Sequence, residues 1–306
     1  MSRYIIKRSI HAVITLFVVS IVVFMIVRLS GDPVLLLVPD EAPAEDYEEM
    51  RKLLRLDEHI TVQYVIWMRQ VLTGDLGEST TQRLPVATLI IERVPATLQL
   101  TALAFAFTLL IGLPIGVYAA AHRGGALDFL ARGFAVFGQA TPNFWMGIVF
   151  IMIFAVWLGW LPAAGREGGI KFLILPAVTI GWFPVAGVMR LTRSSMLEVL
   201  NSEYVKLARV KGVRESLVLW KHAFKNAALP VLTYSALIIV FMVRGSVIVE
   251  TVFAWPGVGR LVLEAVYNRD FPIVQAVVLL FATFFITANL LVDITYAYLN
   301  PKIRYS

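Results

Sequence analysis

Few side chains in this sequence could carry out covalent or metal chemistry. Its 306 residues include no cysteine, which excludes disulfides, thiolate metal sites and cysteine nucleophiles. The sequence contains neither the His-Glu-x-x-His spacing of a zinc protease nor the Gly-x-x-x-x-Gly-Lys-Ser/Thr loop of an ATPase. Its histidines are scattered along the chain, at His11, His59, His122 and His222. We therefore expect a protein that is not an enzyme and holds no metal or cofactor of its own.

The most informative polar segment is basic and runs from residue 192 to 228. Helix-forming residues continue from Glu203 to Gly212, where glycine can end a helix in the left-handed conformation. A second amphipathic stretch follows and continues through Trp220. The pattern therefore predicts a helix, a turn and a second helix. Two interpretations fit this element: it docks into a groove of a cytoplasmic protein, or it rests on anionic lipid headgroups.

Six apolar segments are available to hold this element at a membrane. Of all residues, 58% are hydrophobic and only 16% are charged, and a helix needs about 20 apolar residues to cross the hydrocarbon layer. The predicted spans are residues 9–29, 96–121, 133–158, 172–189, 229–249 and 272–298. The first span lacks a small-x-small cleavage site, so we expect a retained anchor rather than a signal peptide. The net charge of +6 is attributed to basic cytoplasmic loops, not to nucleic acid binding.

The distribution of charge predicts the orientation of the spans. If the N-terminus lies inside, the basic segment 192–228 and the basic chain ends lie on the cytoplasmic side. The acidic run from residue 40 to 49 then lies outside. Both termini are therefore predicted to be cytoplasmic. The long outer segment, residues 30–95, is expected to form a small helical cap with a turn at Gly74-Asp75-Leu76-Gly77.

The basic segment resembles the EAA loop of binding-protein-dependent ABC permeases, whose pattern is Glu-Ala-Ala, a later Gly and a distant Leu-Pro. The likeness is carried by Glu203-Tyr204-Val205, Ala208, Gly212, His222, Asn226 and Leu229-Pro230. Further motifs extend it over nearly the whole chain. They are Gly31-Asp32-Pro33, Gly74-Asp75-Leu76-Gly77, Pro95-Ala96-Thr97-Leu98, Gly159-Trp160-Leu161-Pro162, residues 249–253, residues 255–260, Arg269-Asp270-Phe271-Pro272, residues 289–293 and residues 300–304. The sequence is thus similar to the first permease subunit of dipeptide, oligopeptide and glutathione importers.

The resemblance implies an all-α membrane protein with the six-helix transmembrane domain of a type I ABC importer. Residues 1–94 would form the first anchor and the outer cap, and residues 95–306 the core with its coupling loop at about 192–228. The implied partners in the bacterial inner membrane are a second permease, in a heterodimer, two cytoplasmic ATPase subunits that bind ATP and Mg²⁺, and an external substrate-binding protein. The implied substrates are dipeptides, oligopeptides or glutathione-like peptides.

The alternative function is that of a secondary transporter or channel that works without ATPase partners. Such proteins usually place ionisable groups at the middle of the membrane, and the apolar segments of this chain contain few of them.

Three groups of site residues follow from the resemblance. Those expected to couple to the ATPase, with Ala208 and Gly212 as the contact floor, are Glu203, Tyr204, Ala208, Lys211, Gly212, Trp220 and His222. Those expected along the translocation path are Thr141, Pro142, Asn143 and Arg244. Those expected at an outer gate or against the binding protein are Glu250, Phe253, Trp255, Pro256 and Gly257.

Several of these polar residues have a second interpretation. Thr141-Pro142-Asn143 would form either a plain kink or a break that faces the pore. Arg244 would either extend to the outer surface or face the path and favour substrates with a carboxylate. Trp255-Pro256-Gly257 would otherwise be a structural turn. Outside these groups, Arg28 is expected to extend to the lipid headgroups, and Asp293 to pack or cap a helix.

Overall fold

The computed structural model describes residues 2–30, 34, 42–53 and 55–299. Within these residues the regular structure is helical, and a single extended pairing joins Glu78 to Pro85. The motifs Gly31-Asp32-Pro33 and 300–304, and the acidic residues Asp40 and Glu41, lie outside the described residues. Two compact units are present, one formed by residues 1–95 with 261–306 and the other by residues 96–260.

The first unit contains the two helices nearest the chain ends and the outer segment. Its helices are α1 (Ser2–Ser30), α2 (Ala44–Leu53), α3 (Ile60–Leu72), the start of α4 (Val86–Ala121), the end of α11 (Val258–Tyr267) and α12 (Phe271–Leu299). Helix α1 packs against α12, and Arg8 forms an ion pair with Asp293 at 3.0 Å. Asp293 therefore links the two helices, which agrees with the packing role expected for it.

The outer segment is attached to α1 by aromatic side chains on α3. The ring of Phe24 contacts Tyr64 and Trp67 at centroid distances of 5.5 and 5.4 Å. The hydroxyls of Ser20 and Tyr64 are hydrogen bonded at 2.7 Å. His59 caps the start of α3, because its Nδ1 accepts a hydrogen bond from the amide of Thr61. Helix α3 therefore packs along the last turns of α1.

The second unit holds the long central helices. After the rest of α4, its elements are α5 (Ala126–Ala140), α6 (Asn143–Phe150) with a π-helical continuation (Ile151–Trp157), α7 (Lys171–Leu200), α8 (Glu203–Val210), α9 (Glu215–Leu217) with a π-helical continuation (Val218–Ala223), and α10 (Phe224–Val252). Helix α7 packs against α5, α6 and α10. A Cβ atom at Gly116 would lie 2.7 Å from the Met189 carbonyl oxygen, so α4 and α7 pack closely through small residues.

In the part of the chain that the structure describes, five helices are long and apolar enough to cross a membrane: Ile5–Leu29, Val86–Ala121, Lys171–Leu200, Glu215–Val252 and Phe271–Ile294. They contain the first, second, fourth and fifth predicted spans in full and most of the sixth. Several extend well beyond the predicted apolar segments; the second begins at Val86 and the fourth continues to Leu200. Hydropathy detects the part of a helix that suits lipid, whereas polar helix formers extend the same helix into water.

The third predicted span, residues 133–158, is not one helix. Helices α5 and α6 meet at an angle of 109°. Thr141 and Pro142 between them have extended backbone conformations, with ψ of 126° and 137°. Pro142 has no amide hydrogen, and its ring disfavours a helical Thr141. The expected interruption at Thr141-Pro142-Asn143 is therefore present, as a sharp break and not as a mild kink.

Candidate functional site

The short helix α8 and the turn after it form the best-defined candidate site, which we call the inner hairpin (residues 203–223). Gly212 has φ of +72°, and its amide donates to the Arg209 carbonyl at 3.0 Å. The amide of Val213 donates to the Ala208 carbonyl at 3.2 Å. These two bonds form the Schellman motif that ends helices at a left-handed glycine. The helix end predicted at Gly212 is confirmed.

One side of the inner hairpin packs against its own chain. Val205 and Ala208 join a cluster of buried apolar residues from α4, α7, the π-helical segment after α9 and the start of α10, including Met196 and Val218. Ala208 is only 7% exposed. Its side chain therefore does not form the outward contact floor expected from the sequence. Its small size allows α8 to pack closely against the rest of the chain.

The other side of the hairpin exposes apolar side chains. Tyr204, Leu207 and Val210 are 44%, 53% and 84% exposed, and their spacing of three places them along one face of α8. We call these three residues the exposed stripe. Sequence reasoning identified Tyr204 and missed Leu207 and Val210. Their i, i+3 spacing was the available signal. That signal is ambiguous, because apolar residues also recur on the buried face of α8.

Charged and polar bonds fix the hairpin around the exposed stripe. Lys206 pairs with Glu203 at 2.8 Å. The Arg209 guanidinium donates two hydrogen bonds to the carboxylate of Glu215, at 2.8 and 3.2 Å, which raises the pKa of Arg209 above its ordinary value. The Asn226 amide donates to the hydroxyl of Tyr204 at 2.8 Å. The turn is therefore tied to both helices that flank it.

The remaining predicted coupling residues differ in exposure. Glu203, Lys211 and Gly212 lie on the surface. Trp220 is half-buried in the π-helical segment, where its ring contacts Phe224 at a centroid distance of 5.2 Å. His222 is also half-buried, and its carbonyl accepts a hydrogen bond from the Asn226 side chain at 3.3 Å. Trp220 and His222 therefore lie on the side of the hairpin that packs against the rest of the chain, whereas Glu203, Lys211 and Gly212 lie on its exposed side.

The predicted path residues lie on separate elements. Thr141, Pro142 and Asn143 form the break between α5 and α6, whereas Arg244 lies within α10 and its side chain is exposed. Among the described residues, none forms a hydrogen bond or an ion pair with the Arg244 guanidinium.

The predicted outer-gate residues lie mainly inside the second unit. Glu250, Phe253, Trp255 and Gly257 are buried, and Pro256 is half-buried. The Glu250 carboxyl accepts hydrogen bonds from the Thr97 hydroxyl at 2.7 Å and the Arg260 amide at 3.0 Å. The Trp255 indole donates to the Ala96 carbonyl at 3.0 Å. The buried side chains thus fold the segment between α10 and α11 and do not present a surface to a second protein.

An ion pair with a buried carboxylate, which no pattern in the sequence indicates, joins α5 to α7. Asp128 is 1% exposed, and its carboxylate accepts two hydrogen bonds from the Arg193 guanidinium. The Gly124 amide donates to the same carboxylate at 3.0 Å. No spacing in the sequence indicates this pair, because the two residues are 65 positions apart.

These features define a class: a multi-pass helical membrane protein with a helical hairpin that packs one face against its own chain and exposes an apolar stripe on the other. Family comparison agrees with this class. Residues 112–305 match the family described as "Binding-protein-dependent transport system inner membrane component", and residues 1–101 match its N-terminal companion. The chain belongs to this family, the permease subunits of ABC importers, and is a multi-pass protein of the inner membrane.

Individual relatives match over the full length of the chain. The glutathione transport system permease protein GsiC of Escherichia coli strain CFT073 is 42% identical over 306 residues, covering 100% of both chains. The proteins of the same name from Pectobacterium atrosepticum and E. coli K12 are 42% and 41% identical over the same length. Permeases of this family work with a partner permease, an ATPase and a substrate-binding protein.

A solved structure shows the same fold at low sequence identity. It is titled "Crystal structure of an amino acid ABC transporter with histidines" and matches 68% of this chain and 92% of its own, with a TM-score of 0.51 and 17% identity. The predicted fold class, the helical transmembrane domain of an ABC importer, is confirmed.

Proposed function

We propose that this chain forms half of the translocation path of an ATP-driven importer of dipeptides, oligopeptides or glutathione-like peptides. Full-length identity of 42% to glutathione permeases supports this substrate class. The second half of the path would come from a related permease in a heterodimer. The chain itself would be non-catalytic, and two cytoplasmic ATPase subunits would bind ATP and Mg²⁺.

Coupling to the ATPase would occur through the exposed stripe of the inner hairpin. The observation that carries this proposal is Val210, which is 84% exposed on a helix whose opposite face is packed in the core. Burying an apolar side chain of this size contributes roughly 1.5–3 kcal/mol, so the three residues of the stripe provide a substantial contact. Movement of the ATPase would reach α7 and α10 through the buried face, which includes Val205 and Ala208.

This arrangement requires that the hairpin lie in the cytoplasm. The basic residues of the segment 192–228 support that orientation, and both chain termini would lie on the same side. The alternative, a basic hairpin that rests on lipid headgroups, fits less well, because the charges that border the exposed stripe are paired with each other.

A protection experiment tests the coupling proposal, because the chain has no cysteine of its own. Val210→Cys and Ala208→Cys would be compared in inside-out vesicles, with and without the ATPase subunits. A water-soluble maleimide should label Val210→Cys rapidly when the ATPases are removed and slowly when they are bound. Ala208→Cys, the buried control on the same helix, should label slowly in both. Equal labelling of Val210→Cys with and without ATPases would contradict the proposal.

We further propose that Arg244 faces the path and favours substrates that carry a carboxylate. Its support is an exposed guanidinium within a membrane helix, where a charge is costly unless it serves a path or a partner. Arg244→Gln should reduce the preference for a dipeptide over its C-terminal amide in uptake competition, with Lys171→Gln, also exposed, as the control. An unchanged preference at equal protein level would rule out this role.

A further inference from the structure

The first unit contains a cavity of about 550 Å³, within the size range of small-molecule sites. Its walls come from the last turns of α1, from α2 and the connection between α2 and α3, from α3 and the segment that follows it to Arg83, and from the first turns of α12. The aromatic and charged residues of the lining include Phe24, Arg28, Arg55, Trp67, Asp75, Glu78, Arg83 and Phe271. The assigned importer function uses none of them.

The position of the cavity along the helices is informative. The apolar span of α1 ends at Leu29, and that of α12 begins at Phe271. The cavity is lined by Phe24, Val27 and Arg28 of α1 and by Phe271, Pro272 and Gln275 of α12, so it lies near the ends of two membrane spans. Trp67 contributes an aromatic wall at the same level. Aromatic and arginine side chains at this depth are typical of contacts with lipid headgroups.

The charges that line the cavity suit a headgroup of mixed sign. Three arginines, Arg28, Arg55 and Arg83, line the cavity, and the Arg28 guanidinium lies over the Phe24 ring, 5.3 Å from its centroid. Arginine binds phosphate through pairs of parallel hydrogen bonds. Asp75, whose Oδ1 accepts a hydrogen bond from the Gly77 amide, and Glu78 also line the cavity, and carboxylates there would attract an ammonium group.

Polar and apolar neighbours complete the site. Gln63 lines the cavity; its amide nitrogen donates to the Leu56 and Glu58 carbonyls, while its buried Oε1 has no hydrogen-bond partner among the described residues. Next to the cavity, Met25 and Leu29 are exposed on α1. They provide an apolar surface for acyl chains, which a free phosphate or a short peptide does not need.

From this arrangement we propose that the cavity binds the headgroup of a phospholipid with a primary amine, such as phosphatidylethanolamine. The three arginines hold the phosphodiester, Asp75 and Glu78 hold the ammonium group, and the acyl chains run along α1. The site would keep a membrane lipid between α1 and the outer segment. This inference does not depend on which substrate the importer carries.

Native mass spectrometry of the purified importer complex tests the proposal, with dioleoyl phosphatidylethanolamine as the probe. The Arg55→Gln/Arg83→Gln variant should bind this lipid at least about tenfold more weakly than wild type, because it loses two of the three phosphate-binding groups. Arg69→Gln is the matched control, since Arg69 is an exposed residue of α3 that does not line the cavity. Equal affinity in the double variant and the control would overturn the proposal.

A second variant tests the other half of the site and serves if the arginine variant fails to assemble. Asp75→Asn/Glu78→Gln should bind phosphatidylethanolamine and phosphatidylcholine equally, whereas wild type should prefer the former. A preference that survives this change would contradict the assignment of the ammonium site. Two soluble probes identify other occupants: glycerophosphoethanolamine binding as tightly as the lipid would show a site for free phosphodiesters. Displacement of the lipid by a dipeptide would show a peptide site instead.

Discussion

Replacing Glu250 by alanine should destabilise this protein strongly, although the family resemblance implies a role for this residue at an outer gate. The carboxyl is fully buried. It accepts one hydrogen bond from the Thr97 hydroxyl and one from the Arg260 amide. Alanine provides no acceptor, so both donors would be left unpaired in an environment without water.

The size of the effect follows from these contacts. An unsatisfied buried donor costs roughly 1–3 kcal/mol, which gives about 2–6 kcal/mol for the two. The entropy of unfolding for a chain of 306 residues then converts this loss to a decrease in melting temperature of roughly 3–9 °C. Glu250→Gln should cost less, because its amide oxygen still accepts from the Arg260 amide and the Thr97 hydroxyl can rotate to accept.

The assay is thermal denaturation of the detergent-solubilised complex, followed by loss of the monodisperse peak in size-exclusion chromatography. Glu198→Ala, an exposed residue of the same unit, is the matched control and should melt with the wild type. The expected order of melting temperatures is wild type and Glu198→Ala, then Glu250→Gln, then Glu250→Ala. A melting temperature for Glu250→Ala within 1 °C of wild type, together with weaker docking of the binding protein, would refute this account and restore a surface role.

Three further substitutions extend these arguments. Gly257→Ala should lower the melting temperature as Glu250→Ala does, because its Cβ would lie 2.3 Å from the Glu250 Cδ; unchanged melting would show that the segment can shift. Gly212→Ala should reduce ATPase co-purification by up to about fivefold, because a left-handed alanine costs about 1 kcal/mol, whereas Gly212→Asn should stay within twofold. If the asparagine variant co-purified less ATPase than the alanine variant, the left-handed conformation at residue 212 would not explain the loss. Asp128→Ala should melt lower than Asp128→Leu/Arg193→Met, since the single change leaves a largely buried guanidinium, with a side chain 21% exposed, without its carboxylate. The reverse order would argue against this pair as a structural bond.

The helices were predictable where one physical property decides them. Apolar length is enough to locate a membrane span, and a glycine in a helical pattern was enough to locate the end of α8 at Gly212. The ends of the long helices were not predictable, because polar helix formers continue them beyond the lipid. The break between α5 and α6 was marked by Pro142, but its angle depends on packing that the sequence does not display.

The side on which a residue acts was harder to predict. The small size of Ala208 indicated close packing correctly, but not that the packing partner is its own chain. Glu250 and Trp255 form hydrogen bonds with Thr97 and Ala96, which lie more than 150 positions away in the sequence, so no local pattern indicates that they are buried. In contrast, the spacing of Leu207 and Val210 is visible in the sequence, but Val205 and Ala208 place apolar residues on the opposite face of the same helix, so the spacing alone does not show which face is exposed.

Transport in membrane vesicles tests the central claim most directly. Right-side-out vesicles with wild-type chain or Val210→Glu, at equal levels and with the partner subunits present, would be loaded with ATP and given labelled glutathione or dipeptide with the binding protein. Wild-type vesicles should accumulate substrate only with ATP inside, and Val210→Glu should abolish this uptake while the two permeases remain assembled. Uptake that proceeds without ATP or ATPase subunits, and stops when the proton gradient is dissipated, would contradict the account and indicate a secondary transporter.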